Sequence, residues 1–283
     1  MLLGAYYYAT LPHRHLRNTQ AARDRKAPVM IVFYHRVADH TPNAWTISNR
    51  QFEKQICWMQ RRFDLISLSE AQQRIRCGEN PRPAVCITFD DGYADNCDRA
   101  LPLLIHKRIP CTYFVVSRNV LEGQPFPHDL AAGQPLAANN VEQLRRLVDQ
   151  GVEIGAHTRT HADLGASDDA EQLQQEVVGC RRELRAALGC SVRYFAFPYG
   201  LPVNLSAAAF RLAKEAGYDG ACSAYGGYNF PGDDSFHLQR FHGDPQALRL
   251  KNWLTVDPRK DHTPRYEYRG RPLVRAPNGA GTL

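Results

Sequence analysis

Short apolar runs alternate with longer amphipathic segments through most of this 283-residue chain. The apolar runs are almost continuous, which predicts parallel strands covered on both faces. The predicted strands are 29–35, 84–90, 111–116, 152–156, 192–197, 218–223 and 237–241. The predicted helices are 48–62, 69–77, 95–107, 140–150, 168–188 and 204–216.

Strands that alternate with helices along a chain are typical of parallel βα units. Seven such strands predict an α/β fold, a single-domain distorted (β/α) barrel, and a doubly wound open sheet is the alternative. Both folds place functional groups at the carboxyl ends of the strands. Because Asp90, His157 and Tyr199 each lie at or just after the end of a predicted strand, we expect them to share one site.

The two ends of the chain carry much of the excess positive charge, and the formal net charge is +6. We interpret residues 1–27 as a basic N-terminal extension, 28–256 as one folded domain and 257–283 as a mostly disordered tail. Solvated flexible ends are favoured over contact with an anionic membrane surface. We expect no nucleic-acid partner. The proline-containing segment 118–138 is interpreted as a long insertion or substrate loop.

The N-terminus is apolar but lacks a basic leader, and Pro12, His13 and Arg14 interrupt it, so it is a poor secretory signal. The eight cysteines show no CxxC spacing, which is typical of free thiols in a reducing compartment. A cytoplasmic location is therefore favoured. A periplasmic or membrane-associated location is the alternative.

Two aspartates and two histidines carry the chemistry that the sequence predicts. Asp90 and Asp91 are adjacent, and His157 and His161 are four residues apart. One carboxylate and two imidazoles can hold a divalent metal ion that keeps an open position, and the second carboxylate is then free to act as a base. A non-haem iron oxygenase uses the same ligand set, but it needs no second carboxylate.

These residues resemble the motifs of the polysaccharide deacetylases, the NodB-homology group of carbohydrate esterases. Residues 88–92 read Thr-Phe-Asp-Asp-Gly, which is the first motif of that family, and residues 157–161 match its second motif, His-Ser/Thr-x-x-His/Asp. The resemblance covers about residues 28–245. It implies a distorted β/α barrel, a divalent metal that is usually zinc, and hydrolysis of N-acetyl groups on amino-sugar polymers.

The resemblance also implies a role for each matching residue. Asp91, His157 and His161 would bind the metal ion, and Asp90 would be the general base. The family's third motif ends in Pro-Tyr-Gly, which residues 198–200 match. It implies that the backbone N–H of Tyr199 completes the oxyanion hole and that the tyrosine ring lines the sugar site.

The chain departs from the family pattern in two places. The family has an arginine two residues before the proline of the third motif, where this chain has Ala196. The family also ends with Leu-x-His, whose histidine protonates the leaving amine, where this chain has Arg240. The usual partners of the base and of the leaving group are therefore missing from their usual places.

A second resemblance suggests which residues replace these two partners. Residues 34–37 read Tyr-His-Arg-Val, which resembles the poly-N-acetylglucosamine deacetylase branch of the family. We hypothesise that His35 is the general acid and that Arg240 orients Asp90, because the first and last strands are neighbours in a closed barrel. His242 is the rival acid.

The leading interpretation is a metal-dependent hydrolase that removes N-acetyl groups from amino sugars in an oligo- or polysaccharide. One alternative is an acetyl esterase or a non-sugar amidase on the same fold, and another is a catalytically degenerate carbohydrate-binding protein. A complete ligand set with a base argues against the binding protein.

Trp45 is the candidate for stacking on a sugar ring. The glycan, the physiological metal and the oligomeric state stay open.

Overall fold

One curled sheet of nine strands dominates the computed structural model, which describes residues 2–269. Every pair of neighbouring strands in it is parallel. Two further short strands, β2 and β3 below, pair with each other. The strands are β1 Val29–Tyr34, β2 Arg36–Val37, β3 Thr46–Ile47, β4 Asp64–Leu65, β5 Ala84–Phe89, β6 Cys111–Val115, β7 Glu153–Ala156, β8 Tyr194–Ala196, β9 Gly220–Cys222, β10 His237–Leu238 and β11 Phe241–His242.

Helices follow most strands of the sheet and cover it. Two of them begin with a reciprocal capping box, in which the side chains of Ser48 and Asn140 each accept from a backbone N–H three residues on. The helices are α1 Leu2–Arg23, α2 Asn49–Gln60, α3 Leu68–Arg76, α4 Ala100–His106, α5 Ser117–Glu122, α6 Pro127–Ala131, α7 Val141–Asp149, α8 Ala170–Gln174, α9 Cys180–Leu188, α10 Ala207–Glu215 and α11 Ala247–Leu254. A π-turn, Gln175–Gly179, joins α8 to α9 in one continuous helix.

The order of the strands shows how the barrel closes. Along the sheet it is β10-β9-β8-β7-β6-β5-β1-β11, and β4 also pairs with β5. The two strands at the ends of this path, β10 and β11, are separated in the chain by only Gln239 and Arg240. The sheet is therefore closed by the covalent chain and not by a further ladder of hydrogen bonds. We call the segment 237–242 the seam.

The predicted (β/α) barrel is confirmed, and the open doubly wound sheet is excluded. Six predicted strands correspond to β1 and β5–β9, while the predicted strand 237–241 is split into β10 and β11 at the seam. Strand β4 is not among the predicted strands. All residues of β1 and β5 are buried, as expected of central parallel strands covered on both faces.

The N-terminal segment is a helix packed on the protein and not a flexible end, so that interpretation is wrong for residues 2–23. Helix α1 lies against α11. Its Arg14 is only 1% exposed and donates to the Asn252 carbonyl oxygen at 2.9 Å and to its Oδ1 at 2.7 Å. A buried guanidinium is tolerated because it is hydrogen-bonded and lies 3.8 Å from the carboxylate of Asp257. No helix among residues 2–269 combines the length and apolarity that a membrane span needs.

The segment 257–269 also has defined contacts, so a disordered tail beginning at residue 257 is wrong for these residues. Arg265 donates to the carbonyl oxygen of His237 at 2.7 Å, and the hydroxyl of Tyr268 donates to Asp234 at 2.6 Å. Residues 270–283 of the predicted tail lie outside the described residues. The proposed domain boundaries stay a prediction.

We predict that His237 makes folding sensitive to acid. Its imidazole is buried in the seam, with Nε2 2.9 Å from the hydroxyl of Ser223, and burial lowers its pKa to about 3. An unfolded histidine has a pKa of about 6.5. Between these values the unfolded state binds a proton that the folded state does not, so the stabilisation present above pH ~6.5 is lost as the pH falls toward ~3.

Urea unfolding at several pH values between 7 and 4 checks this. For His237→Gln, the slope of unfolding free energy against pH should fall by up to about 1.4 kcal/mol per pH unit relative to wild type. The control is His106→Gln, at an exposed helix position, which should keep the wild-type slope. An unchanged slope in His237→Gln would contradict the prediction.

Candidate active site

The side chains of Asp90 and Asp91 point in different directions because the chain turns sharply between them. The backbone N–H of Asp90 donates to the Tyr34 carbonyl oxygen at 2.8 Å and so continues the pairing of β5 with β1. Asp91 then has a positive φ of 72°, which is uncommon for a residue with a side chain. Gly92 follows with a φ of 89°, and a Cβ there would lie 3.0 Å from Val115. The turn therefore sends two neighbouring carboxylates into different surroundings.

Asp91 meets the two histidines of the second motif. Its Oδ1 lies 3.5 Å from His157 Nε2 and 3.3 Å from His161 Nε2. All three ligand atoms are within 4.8 Å of one another. Metal bonds of ~2.0–2.1 Å in a tetrahedron place neighbouring ligand atoms about 3.4 Å apart. Asp91 Oδ1 is buried and has no hydrogen-bond partner among residues 2–269, so the donor set fits a divalent metal ion.

The other ring nitrogen of His157, Nδ1, is held by a backbone carbonyl group. Its Nδ1 lies 2.9 Å from the carbonyl oxygen of Ala196, so that Nδ1 carries the proton and Nε2 keeps a free lone pair toward Asp91. Burial raises the pKa of Asp91, but the two imidazoles outweigh burial and hold that pKa well below its ordinary value. Asp91 is therefore ionised, as a metal ligand must be.

Asp90 forms a buried, bidentate ion pair with Arg240. The two guanidinium N–H groups donate to Oδ1 at 2.7 Å and to Oδ2 at 2.8 Å, and Arg240 Nε donates to the Ser223 carbonyl oxygen at 3.0 Å. The guanidinium also lies over the rings of Phe33 and Phe114. Burial raises the pKa of Asp90, but Arg240, His157 and His35 together outweigh burial, so the pKa lies below its ordinary value.

His35 directly follows β1 and lies near both carboxylates, since each of them acts to raise its pKa. Burial outweighs them and lowers the pKa of His35. The His35 ring packs against Trp45 at 5.0 Å and against His242 at 5.7 Å between ring centroids. Burial and the neighbouring His35 lower the pKa of His242 to about 4. The two candidate acids are therefore neighbours. Both aspartates act to raise the pKa of His35, whereas only Asp90 of the two acts on that of His242.

Two exposed aromatic rings flank these groups. Tyr199 is 59% exposed, its ring lies 5.1 Å from the His161 ring, and its φ is 60°. Within residues 2–269 its backbone N–H donates to no protein group. Trp45 is 50% exposed and covers His35. Exposed aromatic faces next to polar groups are suited to hold a sugar ring.

Two residues of the segment 118–138 reach the site, although no motif in the sequence indicates them. Phe126 is buried, and its ring lies 5.6 Å from the His161 ring. His128 stacks on Phe126, and its Nε2 is 3.1 Å from the hydroxyl of Tyr93. The prolines of the segment predict a loop, but most of α5 and all of α6 lie within it. No signal in the sequence indicates that the segment folds back onto His161.

Comparison with known proteins identifies relatives of the chain. A family model described as polysaccharide deacetylase matches residues 77–221, just over half of the chain. A chitooligosaccharide deacetylase of Bradyrhizobium sp. (strain ANU 289) is 33% identical over 120 residues, which are 42% of this chain and 47% of that protein. A poly-beta-1,6-N-acetyl-D-glucosamine N-deacetylase of Staphylococcus aureus (strain MRSA252) is 24% identical over 166 residues, 56% of this chain and 54% of that protein. The chain thus spans about half the length of these relatives.

A solved structure shares the fold. IcaB from Ammonifex degensii superimposes with a TM-score of 0.66 at 23% identity, covering 81% of this chain and 97% of that one. The likeness in fold agrees with the parallel, curled sheet described above. Together with the match of the family model, it leads to one conclusion: the chain belongs to the polysaccharide deacetylase family.

Proposed function

We propose that this protein is a metal-dependent hydrolase that removes N-acetyl groups from amino sugars in an oligo- or polysaccharide. One observation carries the proposal: the set formed by Asp91, His157 and His161 lies beside Asp90, which Arg240 holds in a bidentate pair. The names of the relatives, which include a chitooligosaccharide deacetylase and a poly-beta-1,6-N-acetyl-D-glucosamine N-deacetylase, support a glycan substrate.

Zinc is the divalent ion that we propose for Asp91, His157 and His161. Two imidazoles and one carboxylate suit zinc and leave it an open position. When bound, such an ion lowers the pKa of a water molecule toward ~7 and polarises the carbonyl group of the substrate.

The other residues of the site transfer protons and stabilise the charge that develops during the reaction. Asp90, kept ionised by Arg240, takes a proton from the water that attacks the amide carbon. The backbone N–H of Tyr199 donates to the oxygen on which negative charge develops. His35 gives a proton to the sugar nitrogen as the C–N bond breaks, so that acetate and a free amine leave.

The alternatives differ in their support. Arg240 forms with Asp90 the pair that the resemblance assigns to an arginine at the position of Ala196, so the altered motifs no longer favour a degenerate binding protein. An acetyl esterase or a non-sugar amidase would use the same residues, and substrate assays separate them. The cytoplasmic location and the expected lack of a nucleic-acid partner stay predictions.

The substrate assay measures acetate released from N-acetylglucosamine oligomers by the zinc-loaded protein. Wild type should release acetate, and Asp90→Asn should be slower by about 100-fold or more, because a general base contributes 10²–10⁴-fold. Asp98→Asn, which changes an exposed aspartate, should match wild type. Because Asp90→Asn leaves the Arg240 charge buried without its partner, thermal unfolding must show that the variant is folded. No release from any acetylated sugar by metal-loaded wild type would refute the proposal.

The identity of the acid is tested with two substrates. His35→Ala should slow N-acetyl hydrolysis by about 100-fold, because an amine leaves only with a proton. Its hydrolysis of 4-nitrophenyl acetate should change by less than about 10-fold, because nitrophenolate leaves without one. His242→Ala is the matched control and should be affected little on either substrate. If His35→Ala keeps near-normal activity while His242→Ala is inactive, the assignment is wrong.

A further inference from the structure

The five-residue loop 157–161 carries two of the three ligands and is conformationally strained. Thr158 and His161 both have a φ of 60°, in the left-handed region that residues with a side chain seldom adopt. Such a conformation costs roughly 1–3 kcal/mol per residue and persists only where the surroundings enforce it. The contacts that enforce it therefore decide whether the two imidazoles converge on Asp91.

The carbonyl oxygens of this loop are bound by neighbouring elements. At the start of α5, the backbone N–H of Ser117 donates to the Thr158 carbonyl oxygen at 3.3 Å, and that of Arg118 donates to the Arg159 carbonyl oxygen at 3.0 Å. The thiol of Cys180 donates to the same Thr158 oxygen at 3.0 Å. The carbonyl oxygens of Thr158 and Arg159 are thus bound by groups that lie outside the loop.

A single side chain, that of Glu176, accepts hydrogen bonds from two backbone N–H groups of the loop. Glu176 Oε2 accepts from the backbone N–H of Arg159 at 2.8 Å and from that of Thr160 at 2.9 Å. Its Oε1 accepts from the Thr160 hydroxyl at 2.7 Å. Glu176 is only 5% exposed. Hydrogen bonds to a buried carboxylate are stronger than those between neutral groups, and here all three converge on one loop.

Glu176 lies in an irregular part of its helix. The π-turn Gln175–Gly179 interrupts the helix that runs from α8 to α9, and the N–H of Cys180 donates to the Gln175 carbonyl oxygen five residues back. Turns of this kind are rare and occur frequently at functional sites. Farther along the helix, Glu183 accepts hydrogen bonds from the hydroxyl of Ser117 at 2.7 Å and from Arg159 Nε at 2.7 Å, and within the described part of the chain it binds no backbone group.

We propose that Glu176 is a positioning residue for the metal centre: it holds the backbone of the 157–161 loop so that His157 and His161 face Asp91. The proposal rests on the proposed function, because it assumes that these three residues bind a metal ion. Glu176 does not contact the ion or the substrate. Its effect is therefore on metal affinity and on the geometry of coordination.

The test measures the zinc dissociation constant by competition with a chromophoric chelator. Glu176→Ala should weaken zinc binding by about 10–100-fold, the usual effect of removing a group that orients metal ligands. Glu176→Gln should stay within about threefold of wild type, since its amide oxygen can accept both N–H groups and its amide nitrogen can donate to the Thr160 hydroxyl. Glu183→Ala is the matched control and should also stay within about threefold, because it frees no backbone group of the loop.

The visible absorption spectrum of the cobalt-substituted protein is a second readout. It should change in Glu176→Ala and match wild type in Glu176→Gln and Glu183→Ala. If Glu176→Ala does not fold, Glu176→Asp takes its place: the carboxylate is withdrawn by one methylene group, and zinc binding should weaken measurably.

The outcomes separate the two proposals. Wild-type protein that binds no zinc would overturn the metal site and this inference together. Wild-type protein that binds zinc, with unchanged affinity and cobalt spectrum in a folded Glu176→Ala or Glu176→Asp variant, would overturn the role of Glu176 alone.

Discussion

The bidentate ion pair between Arg240 and Asp90 is the interaction on which the site depends. Arg240 lies in the seam, where the chain itself joins the two ends of the sheet, and Asp90 directly follows the central strand β5. Both side chains are buried, and loss of one partner of such a pair costs roughly 3–5 kcal/mol because the other charge is left without compensation. The contact that orients the proposed base therefore also ties the seam to the centre of the barrel.

Asp90 and Asp91 are chemically identical, but the backbone conformation directs their carboxylates to different partners. The positive φ of Asp91 turns its carboxylate toward the imidazoles, while Asp90 stays in line with β5 and meets Arg240. Thr158, His161 and Tyr199 also have positive φ and lie in the segments that follow β7 and β8. Strain of this kind is retained where packing and hydrogen bonds enforce it, and four of the eight described non-glycine residues with positive φ lie around this one set of polar groups.

The strands and the proposed ligand residues are predictable because they depend on local pattern: apolar runs predict the strands, and polar residues at their carboxyl ends predict the site. The lack of an arginine at position 196, the arginine at position 240 and the adjacency of the first and last strands in a closed barrel together predict the pair between Arg240 and Asp90. Contacts that depend on closure of the barrel were not predictable, such as the split of the last strand and the approach of Phe126 to His161. The role proposed for Glu176 is not predictable from the sequence, because a glutamate within an amphipathic helix has the same pattern as a solvated one, and its contacts depend on the π-turn and on the 157–161 loop.

Moving the arginine back to its usual place in the family tests the central claim most directly. Ala196 packs in a cluster with Phe114, over which the Arg240 guanidinium lies. Acetate release should fall by about 100-fold in Arg240→Ala. It should recover by about 10-fold or more when Ala196→Arg is added, because a guanidinium again faces Asp90. A folded Arg240→Ala protein with near-wild-type turnover would contradict the account.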